Sequence, residues 1–74
     1  MTELGLYLSR KSVNRSDVAR KTGISKTRLS ELSNNLRTKL RADELYLIAL
    51  AIDVKPDEVL NEVCKELTLV KENK

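Results

Sequence analysis

Seventy-four residues with 14 Lys/Arg against 11 Asp/Glu, a formal charge of +3, make one small domain near the length at which a single core barely suffices. One cysteine, Cys64, excludes an internal disulfide, and a chain without histidine lacks both zinc ligands and the commonest general base. With no nucleophile beside a base, no glycine-rich phosphate loop and no apolar run able to span a bilayer, neither an enzyme, a cofactor, a metal site nor a membrane protein is expected.

Apolar residues recur at spacings of three and four, which predicts helices throughout. The first helix runs from about Thr2 to Lys11, with Thr2 as N-cap and Leu4, Tyr7 and Leu8 inward, although Gly5 weakens it. Leu4, Leu6 and Leu8 follow Glu3 rather than a basic segment, so no signal peptide is expected and the chain reads as soluble and intracellular. Asn14 caps a second helix, Arg15 to Thr22, and Asp17 three residues on can reach back to complete a variant capping box. Gly23 ends that helix in the left-handed region. Ser25 caps a third helix from Lys26 to about Asn34.

Residues 34–41, with two asparagines and a basic alternation, read as a surface connection. A fourth helix spans about Ala42 to Ile52; it is apolar almost all round, as suits a central helix with more than one buried side. A buried strand is the competing reading, but Asp43-Glu44 at its start and its length favour helix. Pro56 opens a fifth helix that reaches Lys65 and can continue, aligning Leu60, Val63, Leu67 and Val70 in one stripe. The expected organisation is therefore a domain over residues 1–65 and a tail, or an extension of the fifth helix, over 66–74.

Arg15 to Asn34 is the informative stretch. Two short amphipathic helices flank one glycine, with Val18, Ala19 and Thr22 inward on the first, Leu29 and Leu32 inward on the second, and a basic, polar segment opening the second. That is the layout of a helix-turn-helix, with an ordinary helical hairpin as the bland alternative. Charge supports the first: residues 1–41 hold ten Lys/Arg against three Asp/Glu, +7, while residues 42–74 hold four against eight, −4. Such asymmetry fits one end meeting a polyanion, or chance clustering on a solvated surface.

With these residues in place, the chain resembles the lambda-repressor-like, Cro/repressor-type helix-turn-helix family over about Leu4 to Leu60. The specific parts are Asn14 to Leu32 and Ala49 to Leu60, which looks like the family's closing helix, turn and short fifth helix. The resemblance implies an all-α five-helix bundle with a short C-terminal extension that binds double-stranded operator DNA, usually as a homodimer. It implies that the start of the third helix enters the major groove, with Lys26, Thr27, Arg28, Ser30 and Glu31 as base-edge residues, Arg28 alternatively gripping a phosphate. Glu31 reads equally as an exposed acid paired with Arg28 or another base. Phosphate contacts fall to Asn14, Arg15 and Ser25 at helix N-termini and to Asn34, Asn35, Arg37 and Lys39 after the third helix.

Some positions depart from the family. Arg15 stands where glutamine is usual, and Leu8 and Ser33 stand where an arginine and a glutamate form an internal ion pair, so that pair is missing as a pair. Asn35 and Asp53 replace glycines, each expected at a positive backbone angle. Surplus apolar residues Tyr46, Leu47, Leu50, Leu60, Val63, Leu67 and Val70 either complete the monomer core or form a two-fold interface. The leading expectation is sequence-specific duplex-DNA binding by a small transcriptional regulator, a repressor by the resemblance, in the cytoplasm on the nucleoid of a prokaryote or phage-infected cell. The alternative is a coactivator-like or antitoxin-like adaptor that keeps the fold without specific readout.

Overall fold

Capping chemistry sets where each helix begins. The computed structural model describes residues 1–70, which form α1 (Glu3–Arg10), α2 (Arg15–Thr22), α3 (Lys26–Asn34), α4 (Ala42–Ala51) and α5 (Pro56–Val63), with no strand among the described residues. Thr2, Asn14 and Ser25 each accept backbone N–H groups of the first turn that follows, from Gly5, from Ser16 and Asp17, and from Arg28. These bonds satisfy donors that a helix start otherwise leaves without partners. Arg41 before α4 has no acceptor side chain; Glu44 supplies the cap instead by accepting the Arg41 N–H at 3.0 Å. Gly23, at φ 79°, ends α2 in the left-handed region as expected, and Thr22 stiffens the turn by donating to the Val18 carbonyl and accepting from Ile24 N–H.

One core joins all five helices: Leu4, Tyr7 and Leu8 of α1, Val18 of α2, Leu29 and Leu32 of α3, Ile48 and Ala49 of α4, and Val59 of α5. α1 packs on α3 and α5, α2 on α3 and α4, and α4 on α5. Gly5, weak as a helix former, has its reason here. A Cβ on it would run into the Ser33 carbonyl and the Met1 side chain, so only glycine lets α1 lie this close to the end of α3. Thr2 closes the same junction, its N–H donating to the Ser33 carbonyl at 2.8 Å and its hydroxyl to the Leu32 carbonyl at 2.6 Å. Leu8 and Ser33 are both buried and neutral, so neither strands a charge.

Several expectations are corrected. Asp17 does not reach back to Asn14; its carboxylate pairs with Arg20 one turn on. Asn35 is extended, at φ −101°, because the chain leaves α3 without a left-handed cap, whereas Asp53 takes φ 62° as expected and Ser12 joins it at φ 55°. The fourth helix is not buried all round. α4 packs only on α2 and α5, so Tyr46, Leu47 and Leu50 on its free flank stay exposed.

The fifth helix does not continue either. Beyond Val63 no core remains to cover; Cys64 caps the helix, and Leu67 N–H turns back to the Cys64 carbonyl. The stripe from Leu60 to Val70 is therefore broken, with Leu67 and Val70 exposed off the helix. Residues 71–74 of the expected tail lie outside the described residues.

Candidate nucleic-acid interface

Period 3.6 divides α3 into two faces. Leu29, Leu32 and Ser33 are buried and Arg28 half-buried, while Thr27, Ser30, Glu31 and Asn34, at i, i+3, i+4 and i+7, line the opposite stripe with Lys26 exposed at its start. Four of the five expected base-edge residues thus share the free side of the helix: Lys26, Thr27, Ser30 and Glu31. Along that stripe, Asn34 donates weakly to the Ser30 hydroxyl at 3.5 Å.

Arg28 is the fifth, and the structure turns it away. Its Nε and Nη2 donate to the two carboxylate oxygens of Glu44 at 2.8 and 2.9 Å, and Nη2 also donates to the Lys39 carbonyl at 3.0 Å. This is a fork-on-fork ion pair, planar and bidentate. Glu44 is 7 % exposed, and the Arg28 bond, outweighing burial, holds its carboxyl below the usual carboxylate range. The same bond raises the guanidinium's pKa. The Arg28 guanidinium therefore lies off the exposed stripe and links α3 to α4 and to the connection, and the Glu31–Arg28 pair is not formed. A signal for this was present in the sequence: Glu44 lies four residues before Ile48, on the inward face of α4, where an acid needs a cation.

The residues expected to contact phosphate sit at helix starts, at the end of α3 and in the connection. Asn14 and Ser25 spend their oxygen lone pairs on capping, which leaves the Asn14 amide N–H groups and the Ser25 hydroxyl proton to donate outward. Asn35 accepts the Arg37 N–H at 2.9 Å, shaping the turn that presents Arg37 and Lys39, both exposed. Among the described residues, Arg15, Lys21, Lys26, Arg37 and Lys39 make no ion pair, whereas Arg10, Lys11, Arg20, Arg28 and Arg41 each meet a carboxylate. The ten cations of residues 1–41 split evenly, and the unpaired set includes Lys26 at the start of α3 and two of the connection's three cations, Arg37 and Lys39.

The paired set includes a cluster between α1 and α5. Arg10 binds Glu62, Lys11 lies 3.4 Å from Glu58 and 5.6 Å from the centre of the Tyr7 ring, and the Tyr7 hydroxyl donates to Glu58. Burial, then the Glu58 carboxylate, push the Tyr7 phenol up to about 12, and the phenol's hydrogen bond holds Glu58 below the usual carboxylate range.

Of the expected dimer residues, Val63 is half-buried against the core, whereas Tyr46, Leu50 and Leu60 are about half exposed and Leu47 slightly less. No group of residues able to hold a metal ion occurs among those described, and no helix there is long and apolar enough to cross a membrane. No curated protein and no solved structure shows a significant match to the chain. The Cro/C1-type HTH DNA-binding domain family matches residues 3–67, from the start of α1 to just past the end of α5, and the chain belongs to that DNA-binding family.

Proposed function

We propose that the chain is a small transcriptional regulator that binds a specific duplex-DNA sequence with the exposed stripe of α3 in the major groove. The observation that carries this reading is the free face of α3, where Lys26, Thr27, Ser30 and Glu31 stand clear of the core and Lys26 has no counter-ion among the described residues. Lysine suits the guanine acceptors, threonine and serine suit several base edges, and glutamate accepts from cytosine. Arg15, Arg37 and Lys39, also without counter-ions, supply phosphate contacts, with Asn14, Ser25, Asn34 and Asn35 adding neutral donors.

Two copies on a symmetric operator complete the proposal, with Tyr46, Leu47, Leu50 and Leu60 as the contact between copies. The exposed apolar flank of α4 supports this, since small domains seldom leave several large apolar side chains open to water. Leu67 and Val70, exposed beyond α5, extend it. The site of action would be the nucleoid of a prokaryotic cytoplasm or of a phage-infected cell, where the bound operator blocks or assists polymerase.

Selection from a random duplex library, followed by titration of the winner against scrambled DNA, tests the reading. A consensus with two-fold symmetry is expected. Lys26→Ala or Thr27→Ala should then cost about 1 to 3 kcal/mol on the selected site alone, and Arg37→Ala should weaken every duplex alike. Equal binding to all sequences would sink the specific reading, and a winner without symmetry, with Leu50→Glu sedimenting unchanged, would sink the dimer.

A further inference from the structure

We infer that Arg28 and Glu44 form a positioning pair that sets the angle of α3 and thereby the DNA sequence it reads, although neither touches DNA. This rests on the duplex-reading function proposed above. The α-carbons of α3 and α4 nowhere come within 8 Å of each other, so backbone packing does not fix their relation directly. The Arg28 guanidinium spans that gap to both oxygens of Glu44. Arg28 belongs to the first turn of α3, its own N–H bonded to the Ser25 cap, and its neighbours Lys26 and Thr27 start the exposed face.

The pair also gathers the connection. Arg28 Nη2 donates to the Lys39 carbonyl at 3.0 Å, and Glu44 Oε1 accepts the Arg41 N–H at 3.0 Å. One carboxylate and one guanidinium therefore tie three segments together: the base-reading turn of α3, the phosphate-gripping stretch around Lys39, and the first turn of α4. Phosphate contacts fix register and base contacts specify, so a protein that reads sequence must hold the two sets at a fixed offset. No other side-chain hydrogen bond among the described residues links α3 to α4 or to Lys39. A planar guanidinium suits the task because it delivers two parallel bonds to the carboxylate and a third elsewhere, which an ammonium on a flexible stem does not.

The test uses the full chain and four variants: Glu44→Gln, Arg28→Lys, Arg28→Ala and the double Arg28→Met/Glu44→Leu. The double variant removes both charges together and keeps apolar bulk, so it stays folded if Arg28→Ala alone, which strands a shielded carboxylate, does not. Library selection and titration on specific and scrambled duplexes follow. The expected result is a loss of about tenfold in the ratio of specific to scrambled affinity for Glu44→Gln and for the double variant, equivalent to one good base contact, and a smaller loss for Arg28→Lys.

The loss should spread over every base pair that Lys26, Thr27 and Ser30 read, and the slope of log affinity against log salt should stay unchanged. A slope reduced by about one would make Arg28 a phosphate contact, and a loss confined to one base pair would make it a base contact; either overturns the proposal. Residual dipolar couplings on the free proteins report the α3–α4 orientation without DNA, and an unchanged orientation in the double variant overturns it as well. Wild-type chain that ignores every duplex would overturn the functional reading instead, and the couplings would still judge the pair.

Discussion

On the side where α1 meets α5, Arg10, Lys11 and Lys65 each lie against a carboxylate, whereas Lys26, Arg37 and Lys39, on and after α3, have none among the described residues. Taken alone, α1 with Lys11, and α3 with the connection after it, each carry more cations than carboxylates. The acidic second half makes the difference, because Glu58 and Glu62 come from α5 and neutralise α1 rather than α3. The +7 of residues 1–41 is thus not a basic end of the molecule. Folding neutralises half of these cations and leaves Lys26, Arg37 and Lys39, on and after α3, without a counter-ion among the described residues, and these are the ones expected to attract phosphate.

Salt should separate the two most widely. If six phosphates are contacted, raising salt from about 50 to 200 mM should lower duplex affinity about 10³-fold, with a log-log slope near −5. The α1–α5 pairs are exposed and worth about 0 to 1 kcal/mol each, so the thermal midpoint should move by only a few degrees over the same range. Filter binding and calorimetry in matched buffers check this. An affinity insensitive to salt would mean that the free cations do not face the backbone of DNA.

Gly5→Ala probes the junction between the regions. The added methyl would meet the Ser33 carbonyl, which belongs to backbone and gives way only if α1 lifts from the end of α3. Urea unfolding should show a loss of about 1 to 3 kcal/mol, the usual cost of overpacking. Helix propensity alone predicts the reverse, a gain of up to about 1 kcal/mol from replacing glycine, so the sign of the change decides.

Those two cases mark what was legible in the sequence. Caps at Thr2, Asn14 and Ser25, the turn at Gly23 and the inward Leu29 and Leu32 were readable because each depends on residues within one or two turns. So were the exposed candidates Lys26, Thr27, Ser30 and Glu31. Arg28 was only half legible: an acid on the inward face of α4 calls for a cation, but its partner lies 16 residues away and only tertiary structure selects which one. The end of α5 at Val63 was hidden for a similar reason: the spacing of Leu67 and Val70 suits a helix, but no neighbouring element offers them a surface. Asn35 was misread because a residue type that tolerates a positive φ does not compel one.

The pH dependence of stability should also divide by region. Tyr7, on the α1–α5 side, has its phenol raised to about 12, so the folded state favours the protonated form. Its contribution is full below the unfolded value of about 10 and is lost as pH rises from there to about 12. Glu44 and Glu58 are shifted down, and their contributions are full above about pH 4.3 and are lost as pH falls through their lower folded values. Tyr7→Phe should flatten the alkaline limb of a stability–pH curve and, by removing the hydrogen bond that holds Glu58 low, should also shrink the Glu58 share of the acid limb, leaving that limb mainly to Glu44. At neutral pH it should cost about 0.5 to 1.5 kcal/mol, the net worth of one hydrogen bond. An alkaline limb unchanged in Tyr7→Phe would show that another group controls it.

The smallest effect is the sharpest control on the comparison. Arg10→Glu places two carboxylates together beside Glu62, and Glu62→Arg places two guanidiniums together; each should lower stability by about 0.2 to 1 kcal/mol. The double swap restores an ion pair of opposite polarity, keeps the net charge of +3, and should recover most of that loss in a double-mutant cycle. Because net charge is unchanged, any difference in duplex affinity between the swap and wild type comes from where the charges sit. On the neutralised side that difference should be less than about twofold at moderate salt, since opposite charges a few ångströms apart cancel beyond a Debye length of about 10 Å. A larger change would place the α1–α5 edge within reach of DNA and erase the division between the two sides.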